Sequence, residues 1–187
     1  MTDCNSHIIL QAQDIVAIVK KLRQENKRIV LTQGSFDLVH IGHARYCDRA
    51  RDYGDALIVG VDSDEKVRQR KGPNRPIVPE DERMEMLTHL RSVDYVVMKE
   101  AGEAKFNLIK LIKPDVLIAT AKTYDEETIK KLEKICGKVV VLEPMATTST
   151  TAKIRLMQMN TARKLQDRMR TKLIKSIEEV LEELKTS

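Results

Sequence analysis

Two of the chain's four histidines, His40 and His43, lie at the end of the stretch Gly34-Ser35-Phe36-Asp37-Leu38-Val39-His40-Ile41-Gly42-His43. Imidazoles three residues apart share one face of a helical turn, where both can donate hydrogen bonds to one ligand. The run before them, Arg28-Ile29-Val30-Leu31-Thr32-Gln33, is short, apolar and β-branched, as expected of a strand buried on both faces of a parallel sheet. Beyond His40 the apolar positions Ile41, Ala44, Cys47 and Ala50 have helical spacing. The histidines therefore belong to the first turn of a helix that begins near a strand's carboxyl end. Unpaired backbone N–H groups and the positive end of the helix dipole favour an anion there. Gly42 leaves room for phosphates to approach the backbone. A bare histidine pair at this spacing reads first as two solvated or core residues; it is the whole string following a strand that makes the stretch read as a phosphate site.

The elements that would position this site follow one another in alternation. Strand-like runs occur at 29–32, 56–61, 95–98, 116–119 and 139–142, with helical patterns around 42–53, 79–91, 105–113 and 125–136. That order predicts an α/β domain, a Rossmann-like parallel sheet of about five strands with helices on both faces and ligands beyond the strands' carboxyl ends. An amphipathic helix over 11–26 precedes it, with Ile15, Ile18, Val19 and Leu22 on one side. The nucleotide-binding domain is expected over 1–155 and a C-terminal amphipathic helix over 156–187. The helix carries a stripe of Leu165, Met169, Leu173, Ile177, Val180, Leu181 and Leu184, which covers its own domain's core or forms a dimer contact.

The segment GSFDLVHIGH is similar to the GxFDxxHxGH signature of the cytidylyltransferase-like nucleotidyltransferases. Among their branches the chain most resembles the heptose-1-phosphate adenylyltransferases. The matching motifs are Val61-Asp62-Ser63-Asp64, Lys71-Gly72, Asn74-Arg75-Pro76-Ile77-Val78-Pro79 with Arg83, Val93-Asp94-Tyr95-Val96-Val97 and Ser149-Thr150-Thr151, in family order from about residue 28 to about 155. One segment departs from that branch: a lysine and two glycines before an Asp-Tyr pair are expected after the fourth strand. The chain instead reads Thr120-Ala121-Lys122-Thr123-Tyr124-Asp125, which puts the acceptor or base pocket in question.

The resemblance implies transfer of a nucleoside monophosphate from a nucleoside triphosphate, ATP in this branch, to a phosphorylated small molecule, with Mg²⁺ and release of pyrophosphate. Such transfer needs an in-line attack on the α-phosphorus and charge stabilisation rather than covalent catalysis. It implies His40, His43 and Lys71 as catalytic residues. It places Gly34, Ser35, Phe36, Tyr124, Ser149, Thr150 and Thr151 with the histidines around the nucleotide, and Asp62, Arg75 and Arg83 at the acceptor or its phosphate. Asp37 holds a divalent cation or fixes the turn. Lys71 is expected in a polar loop, 68–76, and Arg83 reads as a phosphate ligand or a surface ion-pair partner. Cytidylyl transfer to a polyol or amino-alcohol phosphate is the alternative within the family; a non-catalytic nucleotide-binding scaffold is the alternative outside it.

Composition narrows the remaining classes. Three cysteines without CxxC spacing point to a reducing compartment and away from structural zinc. No run approaches a membrane span, and a cytoplasmic protein is expected. The net charge of +5 is spread among 28 acidic residues, and with no Trp and two Phe the chain lacks stacking platforms for a single strand. Nucleic acid is thus not the expected partner; a polyanionic small substrate accounts for the excess of cations, and a homodimer is the expected assembly.

Overall fold

β-branched runs flanked by glycine and polar turns form the strands, and each strand's alternate residues feed a different face of the sheet. The structure, a computed structural model, describes residues 7–120, 123–143, 145 and 150–185, the side chains at 150–153, 155, 156 and 177–185 excepted. The elements run β1 (Ile8–Ile9), α1 (Ile15–Gln24), β2 (Ile29–Gly34), α2 (Ile41–Arg51), β3 (Ala56–Asp62), α3 (Asp64–Lys71), α4 (Glu80–Thr88), β4 (Tyr95–Lys99), α5 (Asn107–Ile112), β5 (Val116–Thr120), α6 (Glu126–Leu132), β6 (Lys138–Leu142) and α7 (Thr150–Lys185). The chain divides into two compact units, Met1–Ala146 and Thr147–Ser187. The sequence reading puts this division at 155/156.

In the first unit all the strand pairs are parallel and the order is β1-β4-β3-β2-β5-β6. The expected Rossmann-like sheet is present with six strands rather than five. The additional one, β1, has only two residues, too short to show a period. Ile29, Leu31, Ile58 and Leu117 pack toward Ile15, Val19 and Leu22 of α1 and Leu108, Ile109 and Ile112 of α5. Their strand neighbours Val30, Leu57, Val59 and Ile118 pack toward Cys47 and Ala50 of α2 and Met84 and Leu87 of α4. This period-two division between two helical layers is why the strand sequences read as continuous apolar runs.

The topology decides where a ligand goes. β2 lies between β3 and β5, so the chain leaves β2 toward one side of the sheet and returns through β5 on the other. The carboxyl end of β2 is therefore the switch point, where a crevice opens in such folds. The second unit is α7, a helix of 36 residues. Every residue of it from 157 to 176 is exposed. Among the described residues no helix is long and apolar enough to cross a membrane.

Candidate active site

The loop after β2 is strained and pinned from beneath. Phe36 (φ 47°) and Leu38 (φ 54°) are left-handed, at a cost of about 1–2 kcal/mol each. Burial of the Phe36 ring and three contacts at Asp37 offset it. Asp37 Oδ1 accepts the N–H groups of Ile77 (3.0 Å) and Val78 (3.1 Å), and Oδ2 lies 2.6 Å from Arg75 Nη2. Of the two roles open to Asp37, this geometry is the structural one. It reaches across forty residues of sequence instead of closing a local turn, and both carboxylate oxygens face donors. Arg75, expected at a phosphate, is half of that clamp, with its side chain 12% exposed.

His40 is the N-cap of α2, in extended conformation. Its Nδ1 accepts the Gly42 N–H (3.0 Å), and its own N–H donates to His43 Nδ1 (3.3 Å). The Gly42 amide is thus tied to His40. Because each Nδ1 is an acceptor, each neutral ring carries its proton on Nε2. The two imidazoles lie 4.1 Å apart between centroids, and His43 meets the Phe36 ring edge-on at 5.5 Å. The motif is thereby a reciprocal cap that fixes two tautomers and makes Nε2–H the donor of each ring.

Lys71 is not in a loop. It is the last residue of α3, which continues beyond the expected strand end because Ser63 caps it, its Oγ accepting from Lys66 N at 3.3 Å. Gly72 (φ 96°) ends the helix in a conformation that favours glycine. Lys71 Nζ donates to Ser35 Oγ at 2.6 Å, which brings it over the β2–α2 loop.

Arg83 is not the surface residue that one of its two readings expected. Its side chain is fully buried. Nε donates to Val78 O (3.0 Å), Nη1 to Ser35 O, and Nη2 to Asp62 O (2.9 Å) and Asp64 Oδ1 (2.7 Å). It binds together the ends of β2 and β3 and the 72–79 segment, and so organises the loops of the site.

Asp62, at the end of β3, is also fully buried, paired with Arg70 and with Lys99 Nζ (2.9 Å). Burial works to raise its carboxyl, yet Lys99, Arg70 and Lys66 outweigh it and hold the group below the usual carboxylate range. Lys99 is held below its ordinary range by burial, and Lys66 and Arg70 reinforce this against the pull of Asp62. Lys71 is lowered by burial and then by Arg75 and Arg70. Three carboxylates, of Asp37, Asp62 and Asp64, stand among Arg70, Arg75, Arg83, Lys71 and Lys99, which leaves surplus positive charge, the condition an incoming polyanion relieves.

Tyr124 follows β5, half-buried and edge-on to Phe106 at 6.1 Å. Burial and then the charge of Asp62 push its phenol up. Ser149 lies outside the described residues; Thr150 and Thr151 open α7, their side chains outside the description. The sequence reading missed Lys99, Arg70 and Gln33, whose buried Nε2 has no partner among the described residues. A lysine ending the apolar run Tyr95-Val96-Val97-Met98 was the available signal for the first.

The chain matches the cytidylyltransferase-like family over residues 31–157, more than half its length. It is 39% identical over 146 residues to the bifunctional protein HldE of a Nitratiruptor species, covering 78% of this chain and 31% of that protein. With the HldE protein of Aliarcobacter butzleri the identity is 46% over 117 residues, 63% of this chain and 24% of that one. The chain thus spans about a third or less of these relatives. Among solved structures, the lipopolysaccharide core biosynthesis protein from Thermoplasma volcanium superposes with a TM-score of 0.54 at 27% identity, over 66% of this chain and 99% of that one. The pantoate-β-alanine ligase from Francisella tularensis gives 0.55 at 18% identity, over 73% of this chain and 66% of that one, and speaks for the fold alone. With the histidine pair capping a helix at the switch point of a parallel sheet, this chain belongs to the cytidylyltransferase-like family of nucleotidyltransferases.

Proposed function

We propose that the chain transfers the adenylyl group of MgATP to the phosphate of a sugar 1-phosphate, heptose 1-phosphate in the leading case, in the cytoplasm. One observation carries the reaction class: two Nε2–H donors, fixed as such by their backbone partners, stand at the switch point within a cation-rich site. An acceptor phosphate oxygen attacks the α-phosphorus, the bond from that phosphorus to the bridging oxygen breaks, and pyrophosphate leaves with the bond's electrons. A phosphate acceptor is already ionised, so no general base is required. His40 and His43 donate to the α-phosphoryl oxygens and the leaving group as charge grows there. Lys71, on Ser35, closes over the phosphates. Tyr124, Thr150 and Thr151, with Ser149, take the nucleotide side by resemblance, and Asp62, with Lys99 and Arg70, the acceptor side.

The described residues do not build a resident metal site. Among the described residues no three His, Cys, Asp or Glu side chains cluster, and Asp37 faces Ile77, Val78 and Arg75. Mg²⁺ belongs to the nucleotide as substrate, where it shields the β- and γ-phosphates.

The sugar acceptor is supported by the HldE relatives and by the neighbour named for lipopolysaccharide core biosynthesis. The departure at Thr120–Asp125 keeps cytidylyl transfer to a polyol phosphate as the second reading. The test is pyrophosphate release across ATP, CTP, GTP and UTP against heptose 1-phosphate, other sugar phosphates, glycerol 3-phosphate and phosphoethanolamine. Turnover confined to ATP with a sugar 1-phosphate is the expected result. Turnover with CTP and glycerol 3-phosphate replaces the substrate assignment, and silence across the grid with ATP still bound overturns the catalytic reading.

A further inference from the structure

The helix α7 carries exposed apolar residues beside two blocks of opposite charge. All residues from 157 to 176 are exposed, among them Leu165 (59%), Met169 (64%) and Leu173 (64%). Between 163 and 175 the chain has Arg163, Lys164, Arg168, Arg170, Lys172 and Lys175 against a single acid, Asp167. Between 178 and 183 it has Glu178, Glu179, Glu182 and Glu183 and no base. Within the helix the like-charge pairs four apart, Lys164/Arg168, Arg168/Lys172, Glu178/Glu182 and Glu179/Glu183, are offset by opposite-charge neighbours such as Arg163/Asp167 and Lys175/Glu179. The acidic block also lies near the C-terminal end of the helix, where the dipole opposes it. The two blocks carry opposite net charge and complement one another.

We propose that α7 pairs antiparallel with α7 of a second copy of this chain, about a two-fold axis near residue 175. In that register Leu165 comes opposite Leu184 of the second copy, Met169 opposite Val180 and Leu181, and Leu173 opposite Ile177. The same register sets Arg168 opposite Glu182 and Lys172 opposite Glu178. The apolar stripe and the charges are satisfied by one symmetry operation, as a self-complementary two-fold contact requires. The overlap, 165 to 185, is roughly 31 Å long at about 1.5 Å per residue. A parallel in-register pair would set basic block against basic block.

Sedimentation equilibrium of the 187-residue chain tests this, with circular dichroism to follow helix content. The wild type is expected to be a dimer. Arg168→Glu with Lys172→Glu, Glu178→Lys with Glu182→Lys, and Leu173→Asp alone are each expected to weaken self-association at least tenfold. Joining both charge reversals in one chain restores the dimer, and mixing the two reversed chains yields a heterodimer. Pyrophosphate release stays unchanged in every variant, because none of these residues belongs to the active site. A monomeric wild type, a dimer that survives all the variants, or charge reversals that fail to rescue one another would overturn the proposal. So would a monomer that retains an oligonucleotide or anionic vesicles with steep salt dependence, since the basic block would then serve a polyanion.

Discussion

Replacing Arg83 separates an organiser of the site from a ligand of its substrate. The guanidinium satisfies three backbone carbonyls, of Ser35, Asp62 and Val78, in a place without solvent. Arg83→Ala leaves those acceptors unpaired at about 1–2 kcal/mol each, so the loss is about 3–6 kcal/mol. Asp64, 22% exposed on its side chain, adds little because water takes over its solvation. For a chain of this size each kcal/mol lowers Tm by about 2–4 °C, which makes a fall of about 6–24 °C the expected result. Arg83→Lys should recover less than half of it, since one ammonium cannot span carbonyls on three segments. Thermal melting of the two variants, followed by KM and kcat of whatever remains folded, is the assay. Under this reasoning stability falls first and both kinetic constants deteriorate together as the β2 and β3 loops drift. An Arg83→Ala protein that melts within about 2 °C of the wild type while KM for nucleotide or acceptor rises tenfold or more would refute it and return Arg83 to the phosphate.

His43→Ala should lower kcat at least about a hundredfold while nucleotide affinity and Tm change little, as for a donor that acts on the transition state; turnover measurements alongside calorimetric titration with ATP check both. Asp62→Asn should cost about 3–5 kcal/mol at neutral pH, because it leaves buried Lys99 facing Lys66 and Arg70 without an anion. The folded carboxyl is held below its unfolded value of about 3.9, so its stabilisation is complete above that pH and is lost as pH falls through the folded value. Urea titrations of wild type and Asp62→Asn should therefore stay apart above about pH 4, begin to approach below it, and converge only once pH has fallen past the folded value. Burial pushes the Cys47 thiol up to about 12 and raises that of Cys136 as well. A native Cys4→Ser protein should accordingly leave an aromatic disulfide reagent at about pH 8 unconsumed until urea is added; rapid labelling of the native state would show Cys47 to be accessible.

How much was legible depended on whether a feature was local. The strands were readable because burial on both faces makes Val30, Leu57 and Ile118 as apolar as their neighbours, and their period needs no knowledge of the fold. β1 was not, because two residues show no period and its pairing with Val96 and Val97 exists only in three dimensions. The helix α3 reads partly as a loop because Arg68, Gln69, Arg70 and Lys71 have no apolar stripe; what makes it helical is a cap at Ser63 and a stop at Gly72. The histidines were legible as a pair, while their tautomers followed only from the backbone amides they meet. The loop contacts of Arg83 and Arg75 were not legible for one reason. A motif marks which residues a site requires without telling those that touch the substrate from those that hold the loops.

That distinction has a physical basis in the charges themselves. A site for a triphosphate and a second phosphate requires several cations close together, and an uncompensated set would repel itself apart before any substrate arrived. Here the cations fall into two tiers. Arg83 and Arg75 are closed off by carbonyls, Asp64 and Asp37 beneath the loops, and they make the strained Phe36–Leu38 turn rigid. Lys71 and Lys99 stand above them, each held below its ordinary range by burial and by neighbouring cations, so an arriving phosphate stabilises what the empty fold holds at a cost. Asp62 sits between the tiers and is the anion that keeps Arg70 and Lys99 together meanwhile. An arriving phosphate supplies the counter-charge that burial withholds from Lys71 and Lys99 and eases the lesser repulsion from their neighbours. It follows that free phosphate or pyrophosphate, with no nucleoside attached, should raise the chain's Tm, and that Asp62→Asn should need that anion more than the wild type does.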